Sequence, residues 1–242
     1  MNLVVDVGNT ATKCAIFEND VLIKKWSFIN DADPQELLMA NPKDFDAVMV
    51  GNSGFINSVL SGLLEKFDNV KTLSHTLKLP FDTLYLTPHT LGLDRIAAMA
   101  GGLTKFHDCD LFIVDAGTCI TFDVISSTKI HKGGRISPGV KMRLMAMNTF
   151  TAGLPLVDKE QFTDIPWGND TTLSLLSGAV QGSIDEFTSA SSRFFSQFPS
   201  GKVIITGGDA QIFENNLKNN IFADPDLVVK GLNAILCLNE IN

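Results

Sequence analysis

Short apolar runs that end in Gly or Asp alternate along this chain with segments of helical period. The continuous apolar runs at residues 3–7 and 47–50 predict buried strands. Two more strands, at residues 15–17 and 21–23, are predicted on either side of a turn at Asn19-Asp20. The chain is therefore predicted to begin with a β-meander.

Apolar residues that recur every three or four positions predict the helices. Residues 56–67 form one apolar helical face, and residues 173–187 form another on a longer helix. Asp33 followed by Pro34 predicts the start of a short helix. Near the end of the chain, Val228-Val229 predicts a short strand, followed by a closing helix.

The opening pattern recurs in the second half of the chain, where residues 111–115 and 121–125 predict another pair of strands. The segments at residues 3–10 and 112–118 both place Asp near the end of an apolar strand and follow it with Gly and Thr. Such a repeat suggests two homologous lobes. Together with the alternation of strands and helices, it predicts an α/β protein with lobes at residues 1–108 and 109–242.

Composition narrows the choice of partners. The chain has 242 residues, 45% of them hydrophobic and 19% charged, which is enough to bury a sizeable core. Its 19 Lys and Arg against 27 Asp and Glu give a formal net charge of -8, without a basic cluster. A phosphate-coated surface would be repelled, so we expect neither nucleic acid nor membrane as a partner.

The cysteine and histidine positions indicate no metal centre. Cys14, Cys109, Cys119 and Cys237 lie far apart without zinc-ligand spacing, and we expect them to be small, reduced core residues. The four His residues show no metal or triad spacing and are assigned no role. The N-terminal apolar run is too short for a signal peptide, and no run is long enough to span a bilayer, which predicts a cytoplasmic protein.

The segment from Asp6 to Lys13 carries the strongest chemical signal. A carboxylate at a strand end can hold Mg²⁺, directly or through water. The turn that follows is tightened by Gly8 and can aim backbone N–H groups and the Asn9 and Thr10 side chains at phosphate oxygens. Lys13 would add a positive charge to the same phosphates. The alternative is a plain hairpin turn with an Asx motif.

A matching turn begins at Asp115 and continues through Gly117 and Thr118. Two such turns would form a clamp on a nucleotide triphosphate lying between lobes, although Asp115 alone could be a strand-end cap. Conventional nucleotide loops are missing, because the sequence contains neither G-x-x-x-x-G-K-[ST] nor G-x-G-x-x-G. This excludes a Walker-type ATPase and a dinucleotide-binding oxidoreductase.

A third segment places Gly92, Leu93, Asp94 and Arg95 before an apolar helical face that starts at Ile96. Asp94 and Arg95 are expected in the first helical turn, facing away from the core. Asp94 could accept a proton from a hydroxyl nucleophile, or could be a helix-dipole acid paired with Arg95. Gly92 permits the close approach of a substrate.

Two glycine-rich segments are open to more than one interpretation. Residues 133–139 are predicted to form a loop that runs into a helix. This loop could form a substrate wall or an adenine pocket, or could only pack tightly. Residues 207–209, after a predicted strand at 203–206, carry a weaker signal of the same kind.

Taken in order, these motifs resemble the signature of the type III pantothenate kinases. They are DVGNTATK at 6–13, GLDR at 92–95, DAGTCITFD at 115–123, GGRISPG at 133–139, GNDT at 168–171 and TGGD at 206–209. The resemblance implies two ribonuclease-H-like lobes with mixed sheets flanked by helices, a nucleotide cleft between them, and a homodimer. It also implies transfer of the ATP γ-phosphate to pantothenate, the first step of coenzyme A biosynthesis.

The resemblance further implies roles for residues at matching positions. Asp94 becomes the general base, and Asp6 the acid associated with Mg²⁺. Asp115 becomes the ligand of an activating K⁺ or NH₄⁺, and Thr118 an ATP contact. The implied ATP-binding turn comprises Asp6, Val7, Gly8, Asn9, Thr10, Ala11, Thr12 and Lys13. The implied pantothenate contacts are Tyr85, Gly92, Leu93, Asp94, Arg95 and Thr171.

Several alternatives stay open at this point. The neighbouring Thr172 leaves the register of the substrate Thr open by one position, and Thr171 could instead be a helix N-cap. Tyr85 could be an ordinary strand-end aromatic. Leu93 and Cys119 stand where many family members have Ala, which leaves the substrate more open than the reaction. The chain could also be a kinase of another small acceptor, such as a sugar or acetate, or a non-catalytic regulatory relative.

Overall fold

The computed structural model describes residues 1–30, 34–163, 166–214 and 220–240. The strands are β1 (Asn2–Val7), β2 (Ala11–Glu18), β3 (Val21–Ile29), β4 (Ala47–Asn52), β5 (Val70–Thr72), β6 (Asp82–Thr83), β7 (Leu111–Ala116), β8 (Cys119–Ile125), β9 (Ile130–Pro138), β10 (Lys202–Thr206) and β11 (Ile221–Ala223). The helices are α1 (Gln35–Leu38), α2 (Ser58–Leu64), α3 (Leu93–Lys105), α4 (Val140–Phe150), α5 (Thr171–Leu176), α6 (Gly182–Gln197), α7 (Gln211–Glu214) and α8 (Leu227–Glu240). The predicted α/β class, with mixed sheets flanked by helices, is confirmed.

The chain divides into two compact units that are not contiguous in sequence. Unit 1 contains Met1–Asp108, Ile125–Gly133 and Asp226–Asn242, and unit 2 contains Cys109–Val124 and Gly134–Pro225. This division differs from the predicted contiguous lobes 1–108 and 109–242. Two later segments belong to unit 1 because the start of β9 pairs with β6, and because α8 packs against α3.

Unit 1 contains a five-stranded sheet in the order β3-β2-β1-β4-β5. The pairs β1–β2 and β2–β3 are antiparallel, whereas β1–β4 and β4–β5 are parallel. Asn19 (φ 47°) and Asp20 (φ 66°) form the turn between β2 and β3, in the left-handed conformation that tight hairpins require. The predicted β-meander is therefore confirmed.

Helices cover both faces of this sheet. On one face, buried residues of β1 and β4 form a core with Leu37 of α1 and with Leu60 and Leu63 of α2. On the other face, α3 and α8 pack against β4, and α8 also packs against β1. The sheet is thus buried on both sides, which explains the continuous apolar runs of its parallel strands.

Unit 2 is built on neighbouring strands in the order β11-β10-β7-β8-β9. The pairs β10–β11 and β10–β7 are parallel. Its core contains stacked rings of Phe112, Phe122 and Phe194. The predicted long helix is present, and a π-helical segment at Ser177–Gln181 joins its two α-helical parts, α5 and α6.

Four sequence predictions need correction or limitation. Val228 and Val229 lie in α8 and not in a strand, because their side chains are buried in the same packed helix as Leu232. Residues 133–138 are not a loop but belong to β9, and α4 follows at once. The predicted helix at 56–67 is shorter, with Asn57 as its N-cap. Asp33, the predicted cap of α1, lies outside the described residues.

Burial corrects two further expectations. Only Cys14 is a buried core cysteine, since the other three are partly exposed. Arg95 does not face away from the core, because only 4% of its surface is exposed. Among the helices that the structure describes, none is both long and apolar enough to cross a bilayer.

Candidate active-site residues

The turn between β1 and β2 places the first predicted site residues at the surface of unit 1. Gly8 donates its backbone N–H to the carbonyl oxygen of Ala11 at 3.1 Å, which closes the turn. The Asn9 and Thr10 side chains are exposed. Asp6 and Lys13 are half-buried and directly opposite in the β1–β2 ladder, so both side chains project from the same face of the sheet.

Asn30 braces this turn from the end of β3. Its side-chain N–H donates to the carbonyl oxygen of Gly8 at 2.8 Å, and its side-chain oxygen accepts the hydroxyl of Thr12 at 2.9 Å. The Thr12 side chain is 1% exposed and the Val7 side chain fully buried, so both point into the core. Neither of these two predicted ATP-binding residues therefore presents an exposed group to a phosphate, and both lie beneath the turn.

A second segment supports the turn from β4. The backbone N–H groups of Ser53 and Gly54 both donate to the carbonyl oxygen of Val7 at 3.0 Å. A Cβ atom on Gly54 would lie 2.1 Å from the carbonyl oxygen of Gly8, so the two backbones approach too closely for any side chain. The requirement for glycine at position 54 was not recognised in the sequence.

Cys14 lies on β2 behind the turn. Burial, followed by the negative charges of Asp6 and Glu36, raises the pKa of the Cys14 thiol to about 12. The thiol therefore stays protonated near neutral pH and behaves as a small core side chain.

The N-terminus of α3 presents the GLDR residues. Gly92 is the N-cap residue of the helix, and Asp94 and Arg95 lie in its first turn as predicted. The Asp94 carboxylate is half-buried and its Oδ1 accepts the backbone N–H of Arg95 at 2.8 Å. This geometry is compatible both with a helix-dipole acid and with a base that reaches a substrate.

Tyr85 lies close to this helix start. The guanidinium carbon of Arg95 is 5.6 Å from the centre of the Tyr85 ring, within the range of a cation–π contact. The Tyr85 ring is also stacked on His131, with ring centres 6.0 Å apart and an angle of 17° between planes. No role was predicted for His131, which is fully buried. Only the pairing of β6 with β9 brings residues 83–85 and 131 together.

In unit 2, three glycine-containing segments meet at the end of β7. Asp115 is half-buried and Thr118 exposed. The backbone N–H of Gly139 donates to the carbonyl oxygen of Thr118 at 3.1 Å. Gly207 has φ 96°, and a Cβ atom there would lie 2.5 Å from Asp115 Oδ1. The structure thus brings the DAGT, GGRISPG and TGGD motifs together. This proximity could not be predicted from the sequence, in which the motifs lie far apart.

A cavity of about 430 Å³ opens beside the TGGD motif at 206–209. An ion pair between Lys159 and Asp209 lies on its wall, and apolar side chains that include Phe162, Ile184 and Ile212 complete its lining. Such a mixture of apolar surface with a few polar groups is typical of small-molecule sites.

Thr171 begins α5 at a second cavity, of about 540 Å³, which is lined by residues that include Asn169 and Asp170. The N-cap of α5 is Asp170, whose side chain accepts the backbone N–H of Leu173 at 2.8 Å. Thr171 is therefore the first helical residue and not the N-cap, and its side chain is exposed.

The candidate metal ligands are the carboxylate oxygens of Asp6 and Asp115, which lie near the ends of β1 and β7. In the described ranges, no group of three or more His, Cys, Asp and Glu residues could hold a metal ion. The hydroxyl of Thr206 is buried and has no hydrogen-bond partner among the residues that the structure describes. It lies opposite Asp115 in the parallel β7–β10 ladder, where the two side chains share one face.

Comparison with known proteins adds to this geometry. The family profile described as type III pantothenate kinase matches residues 2–192. The type III pantothenate kinase of Christiangramia forsetii is 38% identical over 99% of both chains. A Campylobacter jejuni crystal structure named for the Baf family of transcriptional activators is 26% identical, with a TM-score of 0.64 over 98% of both chains. The activator of the 2-hydroxyisocaproyl-CoA dehydratase of Clostridium difficile, with bound ADPNP, shares the fold at 13% identity, with a TM-score of 0.55 over 99% of this chain and 96% of that one.

Proposed function

This chain belongs to the type III pantothenate kinase family, and we propose that its two strand-end turns and the start of α3 carry out the family's reaction. That reaction is the phosphorylation of pantothenate by ATP with a divalent metal ion, the first step of coenzyme A biosynthesis. The observation that carries the assignment of residues is the group formed by Asp94, Arg95 and Tyr85 in unit 1.

Asp94 is the proposed general base. The primary hydroxyl oxygen of pantothenate attacks the γ-phosphorus of ATP, the bond from that phosphorus to its bridging oxygen breaks, and ADP leaves. The hydroxyl proton passes to the Asp94 carboxylate. The hydrogen bond from the Arg95 backbone N–H orients this carboxylate, and its half-buried position leaves it within reach of a substrate.

The turn from Asp6 to Lys13 is the proposed phosphate-binding element. Asn9 and Thr10 offer exposed side chains, Gly8 and Ala11 close the turn through a backbone hydrogen bond, and Lys13 offers a positive charge. Val7 and Thr12, both buried, would contribute by supporting the turn from beneath. The Asp6 carboxylate would hold Mg²⁺, directly or through water. When bound, Mg²⁺ would neutralise charge on the phosphates.

Asp115 is the proposed ligand of an activating K⁺ or NH₄⁺. The unpartnered hydroxyl of Thr206, opposite Asp115 in the ladder, supports this proposal because a buried oxygen without a donor suits a cation. Thr118, exposed after β7, is the proposed ATP contact of the same turn. The cavity beside Lys159 and Asp209 has the size and polarity for the base of the nucleotide.

The proposed pantothenate contacts are Tyr85, Gly92, Leu93, Asp94, Arg95 and Thr171. Arg95 is held in place by burial and carries the charge that a carboxylate substrate needs. Gly92 leaves space next to Asp94, since a Cβ atom there would lie 2.5 Å from Asp94 Oδ1. Thr171 is favoured over Thr172 because Thr171 lines a cavity.

We further propose a homodimer that acts in the cytoplasm. The exposed apolar side chains Met145 and Phe150 of α4, the latter 86% exposed, support the dimer because such surface is commonly covered in an assembly. The molecular mass in solution, measured by sedimentation equilibrium, tests this state.

The function is tested by ADP release from the purified protein with Mg-ATP and pantothenate, in K⁺ or NH₄⁺ and again in Na⁺ alone. We expect turnover that requires pantothenate and either K⁺ or NH₄⁺. Turnover with a sugar or acetate in its place would indicate another acceptor. ATP binding without turnover would favour a regulatory relative, the kind of role for which the Campylobacter structure is named.

Replacement of Asp94 by Asn tests the base. The amide keeps the size and the hydrogen bond to the Arg95 backbone but cannot accept the proton, so kcat should fall about a hundredfold to ten-thousandfold. ATP binding, measured by calorimetry, should change little. A variant that retains full kcat would show that Asp94 is not the base.

A further inference from the structure

We propose that His131 is a positioning residue that holds Tyr85 against the pantothenate site, acting through Thr83. This inference rests on the proposed role of Tyr85 as a substrate contact. His131 lies 46 residues after Tyr85 in the sequence, in the segment Ile125–Gly133 that belongs to unit 1.

Little regular structure holds Tyr85. Strand β6 consists of Asp82 and Thr83 only, and the chain continues without a helix or strand to Pro88. Leu84 and Leu86 on either side of Tyr85 are 60% and 98% exposed. The position of the tyrosine ring must therefore depend on specific contacts of its own side chain and backbone.

His131 supplies such contacts in two ways. Its Nδ1 atom is 2.8 Å from the hydroxyl of Thr83, and the same hydroxyl oxygen accepts the backbone N–H of Tyr85 at 3.0 Å. Its ring also stacks on the Tyr85 ring. One buried side chain thus orients both the backbone and the ring of Tyr85.

The arrangement extends to the other proposed substrate residues. Arg95 contacts the Tyr85 ring from the start of α3, and Phe81 packs edge-on against His131, with ring centres 6.5 Å apart. The carbonyl oxygen of His131 also accepts the backbone N–H of Leu84 at 2.9 Å. A shift of the His131 ring would consequently move Tyr85 relative to Arg95, and with it the pantothenate contacts.

Two kinds of substitution separate the hydrogen bond from the stacking. His131→Phe keeps a flat ring but removes the nitrogen that faces Thr83. Thr83→Val leaves His131 unchanged and removes the hydroxyl that links it to Tyr85, with almost no change in volume. His131→Asn keeps a polar atom near the position of Nδ1 and should therefore retain more function than His131→Phe.

We expect His131→Phe and Thr83→Val to raise the KM for pantothenate by about fivefold to tenfold, the effect of losing one orienting hydrogen bond. The KM for ATP should stay within about twofold, because Thr83 and His131 hold the pantothenate contact Tyr85 and are not part of the proposed phosphate-binding turn. His107→Asn, a change at an exposed histidine, serves as the matched control and should leave both constants unchanged.

A second readout does not depend on turnover. Tyr85 is the only tyrosine of the chain, so incorporation of 3-fluorotyrosine gives one ¹⁹F resonance. We expect this resonance to shift or broaden in His131→Phe and Thr83→Val but not in His107→Asn. Addition of pantothenate should shift it in the wild type.

The outcomes distinguish this inference from the proposed function. If the wild type phosphorylates pantothenate but both variants keep the KM for pantothenate and the ¹⁹F resonance unchanged, His131 does not position Tyr85. Equal increases in both KM values, with a lowered Tm, would assign His131 a purely structural role and overturn the proposal. If the wild type does not turn over pantothenate, the proposed function fails, while the resonance of the free protein still tests the link between His131 and Tyr85.

Discussion

Asn30 links both sides of the proposed phosphate-binding turn to the start of α2. Its side chain donates to Gly8 and accepts from Thr12, and its carbonyl oxygen accepts the side-chain N–H of Asn57 at 2.8 Å. The conformation of the turn therefore depends on a residue that is 22 positions from Gly8. A phosphate group that binds to backbone N–H groups requires such a fixed conformation.

Replacement of Asn30 by Asp should weaken ATP binding. The carboxylate has the same shape but would face the carbonyl oxygen of Gly8 without a proton to donate, so the KM for ATP should rise on the order of tenfold. Steady-state kinetics at saturating pantothenate measures this change. Asn41→Asp is the control, since it also removes one side-chain N–H donor, at an exposed turn. Equal effects of both changes would contradict the role of Asn30.

Cys237 should react with thiol reagents only at high pH. Burial, together with the hydrogen bond and the charge of Asp20, raises the pKa of the Cys237 thiol from 9.0 to about 11. Because the folded state favours the protonated thiol, this group stabilises the protein below about pH 9, and the contribution is lost as pH rises through about 11. Asp20→Asn should lower this pKa and speed the alkylation of Cys237.

Peptide mass spectrometry after timed exposure to iodoacetamide between pH 7 and pH 10 measures the alkylation rate. Cys119 in the same digest is the internal control, because Asp20 does not contact it. An unchanged pH profile of Cys237 in Asp20→Asn would show that the charge of Asp20 does not raise its pKa.

At the level of elements, the crossing of α3 and α8 is set by two glycines. A Cβ atom on Gly101 would lie 2.0 Å from the carbonyl oxygen of Leu227, and one on Gly231 would lie 1.8 Å from the carbonyl oxygen of Ala97. Both contacts are with backbone, which cannot move aside as a flexible side chain would. The closeness of these helices also positions the start of α3, where Asp94 lies.

Gly231→Ala should lower the free energy of unfolding by about 1–3 kcal/mol, because the added methyl group forces the two helices apart. Gly62→Ala in α2 is a matched control, since nothing lies within 4 Å of a Cβ atom there. It should raise stability by about 0.5–1 kcal/mol through helix propensity. Urea denaturation measures both values, and equal effects would refute the account of the crossing.

For the whole molecule, the discontinuity of unit 1 has consequences for folding. Helix α8 lies at the end of the chain, yet its buried residues Leu232, Ile235 and Leu236 cover the sheet formed by the first half. Residues 1–108 on their own would expose this apolar face to water.

Residues 1–108 expressed alone should therefore unfold without a cooperative transition, whereas the same residues joined by a Gly/Ser linker to 226–242 should regain one. Thermal unfolding followed by circular dichroism measures the difference. The linked protein with Leu232→Asp and Leu236→Asp serves as the control and should behave as 1–108 alone. A cooperative transition of the isolated 1–108 segment would show that it is an independent domain.

The sequence allowed much of the fold to be predicted, and with it the positions of the site residues along the elements. Strands at 3–7, 47–50 and 111–115 and the helix start at Gly92 follow from local patterns, which short-range sterics and burial determine. The roles of Asp94, Asp6 and Asp115 remain proposals that local patterns and family membership support. The strand predicted at Val228 and Val229 was wrong, because the packing of α8 against α3 overrides the strand preference of two adjacent β-branched residues.

The α/β class, the strand-end turns and the family could all be inferred from the amino-acid sequence, because each of these is encoded in short stretches of chain. The burial of Arg95, the hydrogen bond from Asn30 to Gly8, and the contact between His131 and Thr83, 48 residues apart, became apparent only in the folded chain. Such contacts depend on which strands pair and in which register. The register depends on the burial of side chains over the whole sheet, so it cannot be predicted from any single segment of the sequence.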